Sequence, residues 1–319
     1  MHEFELIRKY FSKLAINNQS SLGLNDDVFF EKSKNLVISV DTYVEGIHFI
    51  NFNKPDLIIK KILRSSISDL ICKGVNPKYY FISGSGDKKT FSKKNLLKIS
   101  NSLKQEQKKY SIYLSGGDTV FSKKLSFTIT TVGFSKKIIL RNNSKIGDDI
   151  YVTGNLGDSF VGLKLLEKKI FLNKSSTKYF IKKYFCPDLN INFTKKLLSF
   201  ANTSIDVSDG LITDLEKLIN KQKYSYKLFL KDIPISNKLQ KLVNLKIIDK
   251  KSCISRGDDY QILFTASRSK SRIIKKTCKS LGLKISKIGN ICAQNRKTQI
   301  INENEEQITF KNKGYFHKF

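Results

Sequence analysis

An α/β chain of two domains, with α+β layering in its first half, is predicted by three features of the sequence. Strand-length apolar runs alternate with helix-length amphipathic ones along the whole chain. The 319 residues exceed what a single core usually organises. A polar, basic connection at 135–149, containing Arg141 and Gly147, breaks the pattern near the middle. The reading therefore divides the chain into a first domain at 1–140 and a second at 141–319.

The first strand is Leu36–Val40, apolar except for Ser39, ending at Asp41. A helix is expected over Asp56–Lys73. Pro55 and Asp56 give the start signal, Ile59, Ile62, Leu63, Ile67 and Leu70 recur on one face, and Gly74 stops it. Tyr79–Ser83 reads as a strand and Ser92–Gln107 as a second helix. A short strand, Ile112–Leu114, runs into Gly116-Gly117-Asp118-Thr119, and Leu125–Phe134 alternates as a half-buried strand does. The second half opens with the strand Ile150–Thr153, a turn containing Gly154 and Gly157, and a helix over Asp158–Lys168. Helices at Ser175–Tyr184 and Asn190–Ala201 precede a strand, Ser204–Val207, which ends in Ser208-Asp209-Gly210 before a helix at Leu211–Asn220. The closing elements are strands at Tyr226–Leu230, Tyr260–Thr265 and Lys284–Ile291, with a helix at Arg268–Leu281. The sequence has no low-complexity tract and no solenoid period.

Composition removes several classes of function. No apolar run approaches the length of a membrane span, and Met1–Lys13 is charged and amphipathic, unlike a secretory leader. Five cysteines, Cys72, Cys186, Cys253, Cys278 and Cys292, form no CxxC pair, which points to reduced thiols and the cytoplasm. The net charge of +30 raises nucleic-acid binding, yet 51 of the 58 basic residues are lysines scattered through every segment. Arginine, the usual residue for bidentate recognition of phosphates and bases, is scarce. A chain-wide bias explains the charge better than a nucleic-acid surface does, and the surplus helps to attract anionic substrates. There is no GxxxxGK[ST], no GxGxxG after a strand, and no zinc-ligand spacing. His2, His48 and His317 leave a Ser-His-Asp hydrolase open, but without a GxSxG elbow.

Aspartates at strand ends are what the sequence does offer. Asp26-Asp27 precede the first strand, Asp41 and Asp118 end two others, Asp206 and Asp209 flank the end of a fourth, and Asp258-Asp259 precede Tyr260. Asp69 sits inside the first long helix. Any one of these is equally well a turn or helix cap. As a set they form an all-oxygen donor group that selects hard cations, of which Mg²⁺ held by a few carboxylates and substrate phosphates is the usual case. His48 alone reads best as a packing histidine, and Tyr315 as a core or surface aromatic. The Gly154–Gly157 turn either joins strand to helix or offers N–H groups to a phosphate.

The motifs together carry a resemblance. Asn25-Asp26-Asp27, Ser39-Val40-Asp41-Thr42, Val44-Glu45-Gly46-Ile47-His48-Phe49, Ser68-Asp69-Leu70 and Gly116-Gly117-Asp118-Thr119 occur in order. They are followed by Arg141, Tyr151-Val152-Thr153-Gly154, Asp206-Val207-Ser208-Asp209-Gly210, Gly257-Asp258-Asp259-Tyr260 and Lys313-Gly314-Tyr315. The pattern resembles the thiamine-monophosphate kinase family, in the superfamily of aminoimidazole ribonucleotide synthetase and selenophosphate synthetase. The resemblance implies ATP-dependent phosphorylation of thiamine monophosphate to thiamine diphosphate. It implies a cluster of Mg²⁺ ions on Asp27, Ser39, Val40 (through its carbonyl), Asp41, Asp69, Asp118, Asp206 and Asp209. ATP would meet Gly117, Asp118, Arg141 and Ser208, and thiamine monophosphate would meet His48, Asp258 and Tyr315. The implied fold is that of aminoimidazole ribonucleotide synthetase, a homodimer whose N-terminal domains pair into an intersubunit β-barrel, with no nucleic acid or membrane as partner. Another enzyme of the superfamily is the alternative. The selenophosphate branch carries an N-terminal Cys or selenocysteine, whereas the first cysteine here is Cys72. Two positions depart from the family pattern. Asn25 stands where Gly is usual, in a turn that would call for a left-handed conformation Asn tolerates, and Asp258 stands where Glu is usual.

Overall fold

The computed structural model describes residues 3–310 and 312–317; His2 lies outside the described residues. After a short helix, α1 (Glu3–Leu6), and several helical turns, the first half forms five strands. These are β1 (Phe29–Glu31), β2 (Leu36–Val44), β3 (Pro77–Gly86), β4 (Tyr113–Phe121) and β5 (Ser126–Phe134), in the spatial order β1-β2-β5-β3-β4. All neighbours are antiparallel except β3 and β4. One face of the sheet is covered by α2 (Pro55–Cys72) and α3 (Lys93–Tyr110). Pro55 occupies the first turn of α2, where its missing N–H costs nothing. Ile58, Ile59, Ile62, Leu63 and Ile67 are all but completely buried, and each such side chain contributes about 1.5–3 kcal/mol by leaving water.

Among the described residues nothing covers the other face of this sheet. Val40, Phe81, Val120 and Phe134 point away from α2 and are 60%, 39%, 53% and 53% exposed. The face mixes these apolar side chains with Thr42, Ser83 and Thr128.

The second half builds a six-stranded sheet from β6 (Asp149–Thr153), β7 (Thr203–Asp206), β8 (Ser225–Phe229), β9 (Ile262–Ala266), β10 (Ile285–Cys292) and β11 (Gln299–Ile301). The order is β11-β8-β10-β6-β9-β7, antiparallel except between β11 and β8. Its helices are α4 (Asp158–Leu166), α5 (Lys174–Phe185), α6 (Ile191–Leu197), α7 (Leu211–Leu218), α8 (Asn237–Asn244), α9 (Lys250–Ile254) and α10 (Ser271–Ser280). α2 packs on β2 and β5 and also meets β7, α5 and α6, so it stands between the two sheets.

Three sequence expectations change. β2 does not end at Asp41 but continues to Val44, and Gly116-Gly117-Asp118-Thr119 lies inside β4, because its backbone stays paired with β3 as far as Phe121. Asn25 is not left-handed (φ −121°); the positive φ angles fall on Leu22, Gly23 and Leu24 just before it, so the departure from Gly carries no strain there. The short elements β1, β11, α8 and α9 were not expected, since three to eight residues give little periodicity to read.

Candidate functional site

Three of the expected aspartates lie within electrostatic reach of one another between the halves, delivered by three different elements. Asp41 comes from β2, Asp69 from α2 and Asp206 from the end of β7. Ser39, on the same face of β2 as Asp41, donates its hydroxyl to Asp69, and Ser68 donates to Asp206. The Tyr43 hydroxyl lies 3.2 Å from Asp41 Oδ2 and 3.0 Å from Ser66 Oγ. Burial, then the charges of Asp41 and Asp206, holds the Asp69 carboxyl well above the usual carboxylate range. Burial likewise raises Asp41, and burial with Asp214 and Asp41 pushes Asp206 up to about 6. Enclosed together, these carboxyls resist ionisation.

Asp26 and Asp27 form a separate corner that is already neutralised. Lys73, wholly buried after the last turn of α2, lies 2.7 Å from Asp26 Oδ1 and 3.2 Å from Asp27 Oδ2. Arg141 grips both oxygens of Asp27, and its backbone N–H donates to Asp26 Oδ2 at 2.9 Å. Burial alone would lower the Lys73 pKa, but Asp26, with Cys72 and Asp69, more than offsets this and holds it above the usual value.

The Ser208-Asp209-Gly210 turn is pinned from beneath by Asp214, which has no exposed surface. Its Oδ2 accepts the backbone N–H groups of Asp209 (2.9 Å) and Gly210 (3.0 Å), and Lys217 bridges Asp209 and Asp214. The Asp209 carbonyl accepts the N–H of Tyr315 at 2.9 Å, which ties the C-terminal segment to the same turn. Gly257 must be glycine: at φ +70° a Cβ would lie 2.0 Å from the Ser208 carbonyl oxygen. That close approach lets the Asp258 N–H donate to Ser208 O at 2.8 Å.

Asp258 meets Lys61, a buried α2 side chain, at 2.8 Å and accepts from the Tyr260 hydroxyl at 3.0 Å. A cavity of about 170 Å³ opens beside Asp258, lined also by Asn155, Asp158, Lys183 and Asp188. His48 stands near Tyr43 and His317, whose ring in turn meets Tyr315 edge-on with centroids 5.0 Å apart. Its Nδ1 accepts the Val44 N–H at 3.0 Å, and burial with His317 lowers its pKa.

Other expected residues lie elsewhere. Asp118 pairs with Ser83, which aligns with Thr128 and Thr42 on the face of the first sheet turned away from α2, opposite to Asp41. Gly117 and the Val40 side chain are exposed, Val40 on that outer face. The Gly154–Gly157 turn is not free to cradle a phosphate, because the Gly157 N–H donates to the buried Asp259 at 2.8 Å. Lys61, Lys73, Asp214 and Lys217 were not anticipated. A buried lysine has no distinguishing mark among 51, although Asp214 and Lys217 one helical turn apart after Gly210 offered a hint.

Among the described residues no three acidic, histidine or cysteine side chains close on one point. The donor chemistry nevertheless fits Mg²⁺ at the central carboxylates. Burial raises all three carboxyls, Asp41 and Asp206 raise Asp69 further, Asp41 raises Asp206, Lys73 opposes the last two shifts, and all three offer hard oxygen donors. Mg²⁺ ordinarily takes one or two carboxylates and completes its shell with water and substrate phosphates.

Residues 24–135 match the family model of AIR synthase related protein, N-terminal domain. That match places the first half of the fold in the AIR synthase-related class. The thiamine-monophosphate kinase of Buchnera aphidicola subsp. Schizaphis graminum is 36% identical over 99% of this chain and 98% of its own. That of Bacillus subtilis strain 168 is 30% identical over 99% of both. The solved complex of AaThiL with AMPPCP and TMP superposes with a TM-score of 0.85 at 23% identity, over 99% of this chain and 97% of that one. The chain belongs to the thiamine-monophosphate kinase family.

Proposed function

We propose that the protein transfers the γ-phosphoryl group of ATP directly to the phosphate of thiamine monophosphate, giving thiamine diphosphate and ADP. The observation that carries this reading is the convergence of Asp41, Asp69 and Asp206, from three elements, in a chain with full-length kinase relatives. The acceptor is already an anionic phosphate oxygen, so no strong general base is needed; positioning and charge neutralisation are the task. Mg²⁺ held by Asp41, Asp69 and Asp206, with Ser39 and Asp209 beside them, supplies that neutralisation when bound. Because His48 Nδ1 accepts a backbone N–H, the neutral ring carries its proton on Nε2 and presents a donor to the substrate. Asp258 and Tyr315 flank the same region and orient the thiamine portion, while Ser208 and Arg141 face the nucleotide.

The enzyme acts as a homodimer formed through the bare face of the first sheet, closing a barrel between subunits. Asp118 and Gly117 lie on the strand bordering that face, so they join a site through the partner subunit's cleft rather than their own. The domain division at 140/141 and a cytoplasmic location accompany this reading; the five cysteines are all unpaired, in keeping with a reducing compartment. Incubating the purified protein with ATP, MgCl₂ and thiamine monophosphate should yield thiamine diphosphate, and leaving out any one component should abolish it. Failure to form the product with all three present would end the proposal.

A further inference from the structure

Lys73 has no exposed surface, and its ammonium group is spent on three acceptors. Asp26 Oδ1 lies at 2.7 Å, the Ser204 carbonyl oxygen at 2.8 Å and Asp27 Oδ2 at 3.2 Å. An ammonium has three N–H bonds, so the set is complete. From the other side Arg141 holds Asp27 through Nε and Nη2, and its backbone N–H holds the remaining oxygen of Asp26. Every carboxylate oxygen of the pair has a donor, and two negative charges face two fixed positive ones. The resemblance that assigns Asp27 to a metal does not fit this corner. An incoming divalent ion would meet a guanidinium and an ammonium in a poorly screened site and would have to strip donors from oxygens already satisfied.

We infer that Lys73 is a built-in cation at the Asp26–Asp27 corner, that Asp27 of this chain binds no divalent ion, and that the metal ions of the reaction are confined to the Asp41, Asp69 and Asp206 side of the cleft. This inference rests on the Mg²⁺-dependent reading above. Its structural consequence is permanent rather than exchangeable order. Lys73 belongs to the end of α2, its carboxylate partners to the loop before β1, and Ser204 to β7, so one ammonium ties three segments together whether or not metal is present.

The test counts bound Mn²⁺ by electron paramagnetic resonance on the full chain with saturating AMPPCP. Wild type and Asp27→Asn should bind the same number per protomer, and Asp69→Asn fewer. Lys73→Met, which keeps the unbranched apolar stem and removes the charge, should bind one more, because it leaves Asp26 Oδ1, Asp27 Oδ2 and the Ser204 carbonyl oxygen without the ammonium they surround. Loss of an ion in Asp27→Asn overturns the inference, as does an unchanged count in a Lys73→Met protein that circular dichroism shows to be folded. If Lys73→Met does not fold, the comparison of Asp27→Asn with wild type decides. A wild type that binds no Mn²⁺ beyond that carried by the nucleotide, with Asp69→Asn indistinguishable from it, overturns the Mg²⁺ reading and the inference with it.

Discussion

Replacing Asp206 by Asn should make the metal-free protein more stable near neutral pH while removing its activity. Burial, and then Asp214 and Asp41 facing it, push the native Asp206 carboxyl up to about 6 from the 3.8 of a free side chain. At about 1.4 kcal/mol per pKa unit, that difference costs the folded state about 3 kcal/mol once the group is ionised. The sign follows from the protons bound. Between pH ~4 and ~6 the native state holds a proton that the unfolded chain has released, so stability falls as pH rises through that window and then levels off. Asn keeps an oxygen for the Ser68 hydroxyl and nearly the same shape, but it never ionises. The variant should therefore match wild type near pH ~4 and exceed it by up to about 3 kcal/mol near pH ~8. Urea unfolding in EDTA reads this through tyrosine fluorescence, since the chain has 13 tyrosines and no tryptophan. Adding Mg²⁺ and AMPPCP to wild type should remove its deficit near pH ~8, because the cation stabilises the ionised form. A difference between the two proteins that does not change with pH would refute the argument.

Three further outcomes follow from the same geometry. Asp41→Asn and Asp69→Asn should each lower kcat by about 100-fold or more with unchanged circular dichroism, since both remove charge stabilisation at the reacting phosphates; near-normal turnover in both would exclude the central carboxylates from the chemistry. Asp41→Asn and Asp118→Asn, each inactive alone, should regain about a quarter of wild-type activity when unfolded together and refolded as mixed dimers, because half the dimers are mixed and each holds one intact site. Absence of any recovery in a dimeric mixture would place Asp118 and Asp41 in the same subunit's site or remove Asp118 from it. Arg64→Met should cost about 3–5 kcal/mol by leaving Glu106 buried without its bidentate partner, and adding Glu106→Gln should recover most of that in urea unfolding.

The sequence made the long elements legible because they repeat a physical signal. α2 carries a start residue, an apolar stripe and a terminal glycine, and it was placed within one residue at each end. Asp41, Asp69 and Asp206 were legible as candidates because acids are few in this chain and these follow apolar strand-like runs or stand beside Ser in a helix. What was not legible depends on partners far apart in sequence. Nothing around Lys73 says that it, rather than one of its many neighbours in kind, will be enclosed by Asp26, Asp27 and Ser204. The position of Asp118 required the register of β4 on β3, and the fate of the Gly157 N–H required knowing where Asp259 would fold, 102 residues on. Periodicity reports a local environment; it does not report which distant oxygen a nitrogen will find.

α2 shows how such long-range bonds set the chemistry. Lys61, Arg64 and Ser68, spaced by three and four residues, share one side of the helix, and each reaches the second half of the chain. Lys61 pairs with Asp258 at 2.8 Å, Arg64 donates to the Pro187 carbonyl at 3.0 Å, and Ser68 donates to Asp206. Lys73 completes the seam at the Ser204 carbonyl, 2.8 Å away. An apolar seam would bury as much surface, but dispersion and hydrophobic contact tolerate sliding, whereas buried directional bonds are satisfied in one relative placement. Asp69 follows Ser68 directly in the helix, so the bond that anchors α2 to Asp206 also sets how far the two carboxylates stand apart. The spacing of these carboxylates is thus a property of the junction between the halves, and a helix that looked in sequence like ordinary core is what fixes it.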